Sequence, residues 1–187
     1  MGMEKTYTLE VAGVTRELPV VPISADLCIA SFVILGDTEL VSAVGPLLAA
    51  KLPPADALIT AEAKGIPLVY ELSRLLGMKK YYVARKSVKP YMNNPLITEV
   101  VSITTQKKQI LCLDEKDARE LSGKRVAIID DVISTGESVQ ALAELVSKAG
   151  ATVVAKAAIL AEGDAAKRND ILFLQELPLF PRQKPAE

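Results

Sequence analysis

The sequence predicts an α/β protein built on a mostly parallel, twisted sheet with helices on both faces. Three observations carry that prediction. Apolar runs of strand length alternate with segments whose apolar residues recur at helical spacing, the pattern of βαβ units. The runs 57–61 and 126–129 are almost wholly apolar, as strands covered on both sides must be. Polar residues gather just beyond these runs, where parallel sheets place their ligands.

Residues 5–11 and 18–22 read as short strands, with a turn at Gly13. Asp37 or Thr38 caps a helix that runs to Lys51 on the stripe Leu40, Val41, Val44, Leu47 and Leu48, and Pro53-Pro54 stops it. Residues 57–61 form a buried strand. A second helix spans 66–76, with Pro67 in its first turn and Gly77 just past its end. Tyr81–Arg85 is the next strand. A polar stretch over 86–95 follows, and then 99–104 and 109–113 flank Gln106-Lys-Lys108 as a β-hairpin. Residues 115–121 form a short helix and 126–130 a buried strand. Residues 137–149 are a helix on Leu142, Leu145, Val146 and Ala149, closed by Gly150. Thr152–Leu160 is the last predicted strand, and the tail from Gly163 has no clear pattern.

The 187 residues suit one domain, half of them hydrophobic and 24% charged, which excludes a disordered chain. Lys and Arg total 22 against 23 Asp and Glu, a balance that argues against a nucleic-acid-coating protein. No apolar run reaches the roughly 18 residues of a membrane span, and residues 1–10 are too polar for a signal-peptide core. Cys28 and Cys112 make no disulfide framework, so a reduced, cytoplasmic setting is expected. The chain has no histidine. Ser-His-Asp triads and His-ligated zinc are thereby excluded. Chemistry falls to carboxylates, Lys and Arg, hydroxyls, backbone N–H groups or a bound ion.

The segment Val126-Ala-Ile-Ile-Asp-Asp-Val-Ile-Ser-Thr-Gly-Glu-Ser138 is the strongest motif. An apolar strand ends in two carboxylates, and a small-residue turn then enters a helix. Such a turn presents successive backbone N–H groups, and the helix dipole adds about half a positive charge, so a phosphate monoester fits. Ser134, Thr135 and Ser138 add hydroxyl donors, and Gly136 permits a turn closed to other residues. The carboxylates suit vicinal hydroxyls or a hydrated Mg²⁺. A phosphate with a diol a few ångströms away describes ribose 5-phosphate. The bland alternative is a strand–turn–helix with a solvated acid pair.

This segment resembles the phosphoribosyl-diphosphate (PRPP) motif of type I phosphoribosyltransferases, with Asp130 and Asp131 as the acid pair and Ser134–Ser138 as the 5′-phosphate loop. Glu62-Ala-Lys-Gly65 resembles the family's pyrophosphate loop, with Lys64 where Arg is usual, and Arg85-Lys86 with Lys89 resembles the Arg-Lys-x-x-Lys pattern of adenine and xanthine enzymes. The resemblance implies a phosphoribosyltransferase-like core over about 38–160, a small hood from 1–37 and 163–187, and one domain over 1–187. It places a β-hairpin mobile loop within 87–113. It implies transfer of a phosphoribosyl group from PRPP to a purine, adenine or xanthine favoured, with release of pyrophosphate. Lys64, Arg85, Asp130 and Asp131 are the implied catalytic residues. Lys86, Lys89 and the run Val132, Ile133, Ser134, Thr135, Gly136, Glu137 and Ser138 complete the implied PRPP site. Mg²⁺ would be held through PRPP and water rather than by direct protein ligands. Val132 and Phe32 are candidates to contact the base; for Phe32 a place in the core is the slightly favoured reading. A homodimer is expected, without nucleic-acid or membrane partners. The alternative is a non-catalytic PRPP-binding regulator.

Overall fold

Parallel strands need long crossovers, and here those crossovers are the helices. The computed structural model describes residues 5–100 and 109–182. Expectations for residues 1–4, for 183–187, and for the 101–108 part of the hairpin lie outside the described residues.

The chain opens with strands β1 (Thr6–Val11), β2 (Val14–Pro22) and β3 (Leu27–Ala30), followed by helix α1 (Thr38–Lys51). Strand β4 (Ala57–Ala61), helix α2 (Ile66–Leu75) and strand β5 (Tyr82–Ala84) make the first crossover unit. The pair β6 (Leu96–Val100) and β7 (Gln109–Leu113) leads to helix α3 (Glu115–Leu121). Strand β8 (Arg125–Ile133), helix α4 (Glu137–Lys148) and strand β9 (Thr152–Glu162) make the second unit. A 3-10 turn (Gly163–Lys167) precedes short strands β10 (Gln175–Leu177) and β11 (Leu179–Pro181).

Five strands form one parallel sheet in the order β10-β9-β8-β4-β5. Side chains alternate across it. Val126 and Ile128 of β8 join Ile59 of β4 in one apolar cluster, covered by Leu142, Leu145 and Val146 of α4. Ala127 and Ile129 join Leu58 in the cluster on the other face, covered by Val44 and Leu48 of α1 and Leu68 and Leu72 of α2. The two-sided burial predicted from the apolar runs is what the structure has.

The hood is a second, antiparallel sheet in the order β1-β2-β3-β11. Ala12 and Gly13 both have positive φ, 54° and 74°, the geometry of a two-residue hairpin turn. Pairing therefore resumes at once with Val11 opposite Val14, and β2 begins at Val14 rather than at the predicted residue 18. Strand β3 and the tail strands β10 and β11 were not predicted. Each has three or four residues and is held by its pairing: β3 lies between β2 and β11, and β10 pairs with β9. Asp37 joins hood to core. Its carboxylate accepts the Leu40 N–H at 3.0 Å, capping α1, and also accepts Arg16 Nε of β2 at 2.8 Å.

Two further boundaries moved. The first hairpin strand begins at Leu96 rather than at 99, with Leu96 opposite Leu113 and Val100 opposite Gln109; its predicted part over 101–104 lies outside the described residues. The hairpin is stitched to the sheet edge where Arg85 and Cys112 exchange backbone hydrogen bonds of 2.8 Å. Strand β8 runs to Ile133, because β9 continues beside it to Glu162 and pairs Val132 with Leu160 and Ile133 with Ala161. The acid pair therefore lies inside a strand rather than at its end.

Leu58 is fully buried in the central strand β4. We expect Leu58→Ala to cost about 2–5 kcal/mol, read as a lower urea midpoint with an unchanged slope.

Candidate active site

Strands β8, β4 and β5 are adjacent and parallel, so their carboxyl ends open on one edge of the sheet. Each end carries one of the motifs read from the sequence. The loop after β4 holds Glu62, Ala63 and Lys64, and its Glu62–Ala63 peptide is cis. A Cβ on Gly65 would lie 2.1 Å from Thr60 Oγ1, so this loop folds back onto its own strand only with glycine there.

On β8, Asp131 is 3% exposed. Its Oδ2 lies 3.3 Å from Lys64 Nζ, an ion-pair contact, and has no hydrogen-bond partner among the described residues. Asp130 Oδ1 accepts the Asp131 N–H at 2.9 Å. Burial pushes the Asp130 carboxyl well above the ordinary carboxylate range, and the neighbouring Asp131 charge adds to this. Lys64 opposes that rise, and its charge also opposes the burial that raises half-buried Glu162 at the end of β9. One lysine is thus the local counter-charge to three carboxyls.

Lys64, Lys86, Asp130, Asp131, Val132 and Ser138 line one cleft of about 180 Å³, together with Glu62 and residues of the β6–β7 hairpin. Positive charge from two loops therefore faces the acid pair. Arg85 is turned elsewhere: its Nε donates to Glu62 Oε2 and its Nη1 to the Tyr91 hydroxyl at 3.0 Å. Burial works to raise the Glu62 carboxyl, but Arg85, the Lys86 N–H and Lys89 together hold it below its ordinary value. Lys89 Nζ donates to Ser87 Oγ at 2.6 Å and does not line the cleft.

The turn after β8 behaves as its residues predict. Gly136 has φ +83° and begins α4 without a side-chain cap; the Glu137 N–H donates to Thr135 Oγ1 at 3.5 Å, and the next first-turn N–H groups have no partner within the helix. Ser134, Thr135 and Ser138 are exposed. Thr135, Gly136 and Glu137 line a neighbouring cavity of about 330 Å³ together with Lys156 and Arg168.

Burial decides the part of two predicted residues. Ile133 is 2% exposed and packs in the core cluster, so only its backbone is left to the loop. Phe32 is 5% exposed within the other cluster, so of its two readings its ring takes the core. Tyr91, Glu162 and Arg168 were not anticipated. Each lies outside a motif; long-range folding brings Glu162 and Arg168 to the site, and Tyr91 reaches it through the loop that follows Arg85.

Among the described residues no group of three or more potential metal ligands is found. The buried, unpartnered Asp131 Oδ2 beside Asp130 fits an acceptor of sugar hydroxyls or of the waters of a hydrated cation.

The raised Asp130 carboxyl has a definite sign. The folded state binds a proton that the unfolded chain has released, so stability falls as pH climbs from the ordinary carboxylate range toward about 8. Asp130→Asn removes that penalty. We expect its thermal midpoint to exceed wild type at pH 8 and to match it near pH 4; equal midpoints at pH 8 would refute the raised value.

Comparison with known proteins places these features. The sequence model of the phosphoribosyl transferase domain matches residues 49–178. The chain is 38% identical over 127 residues to a xanthine phosphoribosyltransferase of Chloroflexus aurantiacus, covering 66% of this chain and 58% of that protein. It is 32% identical over 127 residues to an adenine phosphoribosyltransferase of Rhodococcus jostii, covering 68% and 69%. A hypoxanthine/guanine phosphoribosyltransferase of Ferroglobus placidus is 30% identical over 113 residues, covering 60% of this chain and 56% of that protein. Several of these curated relatives are thus spanned over little more than half their length. The fold resembles the crystal structure of adenine phosphoribosyltransferase from Thermoanaerobacter pseudethanolicus, with TM-score 0.64 and 22% identity over 91% of this chain and 95% of that one. The matched region contains the parallel sheet and all three loops at its carboxyl edge, and by that match this chain belongs to the type I phosphoribosyltransferase family.

Proposed function

We propose that the chain is a purine phosphoribosyltransferase, moving the 5-phosphoribosyl group of PRPP to a ring nitrogen of a purine, with adenine or xanthine the favoured acceptor. The observation that carries this reading is the 3.3 Å contact between Lys64 and Asp131. It joins the loop suited to a diphosphate with the acid pair suited to ribose hydroxyls, inside one cleft. The names of the relatives, xanthine, hypoxanthine/guanine and adenine phosphoribosyltransferase, support a purine without choosing among them.

In this reading the 5′-phosphate sits on the N–H groups of residues 134–138 at the start of α4. Asp130 and Asp131 accept hydrogen bonds from the two ribose hydroxyls and hold the ring. The base nitrogen forms a bond to C1 as the C1–O bond to diphosphate breaks, the electron pair leaves on the pyrophosphate oxygen, and the proton the purine ring gives up passes to water. Lys64 and Lys86 face that developing charge. Arg85 joins them when its guanidinium leaves Glu62. Bound Mg²⁺ would supply further neutralisation of the diphosphate. The residues chiefly orient the reactants and stabilise charge, work that needs no histidine. Val132, half-buried in the cleft, is the candidate contact for the base. The reading includes a homodimer in a reducing cytoplasm, in keeping with the free thiols of Cys28 and Cys112. No helix among the described residues is long and apolar enough to cross a membrane.

The test is pyrophosphate release from PRPP and Mg²⁺ with adenine, xanthine, hypoxanthine or guanine. We expect turnover with at least one purine, and a loss of about a hundredfold in Lys64→Ala from removing one charge-stabilising group. PRPP binding without turnover on any base would instead favour a PRPP-binding regulator.

A further inference from the structure

Behind the phosphate loop stands a residue that no motif contains. Arg168 follows the 3-10 turn after β9 and lies 32 residues beyond Gly136 in sequence. Its Nε and Nη2 donate to the two oxygens of Asp170 at 2.8 and 2.9 Å. That bidentate pairing fixes the plane of the guanidinium. Lys156 of β9 donates to the same carboxylate at 3.0 Å. Arg168 and Lys156 together hold the Asp170 carboxyl far below its usual range. The third nitrogen, Nη1, lies against the loop. A Cβ built on Gly136 would stand 2.4 Å from it.

Gly136 therefore answers two demands at once. Its φ of +83° needs a residue free of the left-handed penalty, and the space above its Cα is already filled by Arg168. Charge makes the same point. The cavity beside the loop is lined by the carboxylates Glu99, Glu137 and Glu144, which repel an incoming phosphate. Arg168 and Lys156 are the cations lining it.

We propose that Arg168 is a positioning residue for the 5′-phosphate of the ligand. Clamped by Asp170, it braces the left-handed turn at Gly136 and sets a fixed positive charge behind the phosphate loop. This rests on the phosphoribosyltransferase reading and deepens it. The loop's N–H groups then need no reorganisation when phosphate arrives, and a pre-set arrangement of donors binds more tightly than one that must be ordered. The site becomes two-ended. Residues 62–65 and 85–86 serve the diphosphate, and Arg168 acts at the opposite, monophosphate end.

That separation is measurable with two ligands on the full chain. Calorimetry with ribose 5-phosphate reads the monophosphate end, and calorimetry with pyrophosphate reads the other. Arg168→Met keeps the aliphatic stem and removes the guanidinium. We expect ribose 5-phosphate to bind about tenfold more weakly, as loss of one charge-assisted interaction implies, with pyrophosphate affinity unchanged. Arg168→Lys should recover part of the loss, since the charge returns without the fixed plane. Unchanged ribose 5-phosphate affinity in Arg168→Met overturns the proposal, and so does an equal loss for both ligands. If Arg168→Met does not fold, Asp170→Asn loosens the clamp with the arginine in place; a smaller loss, confined to ribose 5-phosphate, is expected, and no loss overturns the proposal. A wild-type protein that binds neither ligand fails the phosphoribosyltransferase reading itself. One that binds both, with Arg168→Met indifferent, fails only the role of Arg168.

Discussion

Asp130 and Asp131 sit side by side in a strand with neighbours on both sides, and their burial has to be offset. Removing carboxylates from water is costly, and adjacent like charges add to the cost. Lys64 supplies the counter-charge to Asp131 at 3.3 Å. To reach it, the chain after β4 turns back sharply through Glu62–Gly65, against Thr60, where only a glycine fits. The position of α2, which starts at Ile66, follows from that loop. An apolar pair in place of the acids would make a more stable sheet. The acids instead give the cleft a rigid pair of acceptors, a familiar exchange of stability for function.

The same logic organises the cations. In the free protein Lys64 is engaged by Asp131 and Arg85 by Glu62. Neither positive group is left to solvent alone, yet each partner is itself at the site. In the proposed reading, a diphosphate would compete with these carboxylates for lysine and arginine, and sugar hydroxyls would compete for the acid pair.

Legibility in the sequence followed the range of the interactions. Ala57–Ala61 and Glu115–Leu121 were read to the residue, and the three long helices to within one or two. Their signals are local: an apolar run, a cap at Asp37, a proline or glycine at an end. The motif residues around 62–64, 85–86 and 130–138 were legible for the same reason, since each is contiguous. Strands β3, β10 and β11 are not, because three or four residues carry no periodicity and are strands only by virtue of their partners, β2 and β11 for β3 and β9 for β10. The end of β8 was misplaced because pairing with β9, not the apolar run, sets its length. Phe32 is the converse case. Its neighbours allowed either a stacking surface or core, and only packing of the hood against α1 decided for core.

The sequence by itself determined the alternation of strands and helices, the apolar faces, and the places of the acid pair and of the small-residue turn that follows it. These follow from the chemistry of residues adjacent along the chain. Tertiary structure alone decided that Lys64 meets Asp131, that Arg85 turns to Glu62 and Tyr91, and that Arg168 stands behind Gly136. Apart from the Arg85–Tyr91 contact within one loop, each of these contacts joins segments that follow different strands, and their spacing is set by the order β10-β9-β8-β4-β5. Strand order is a property of the folded sheet, where non-local pairing and the packing of two helical layers choose among connections that local patterns leave equivalent.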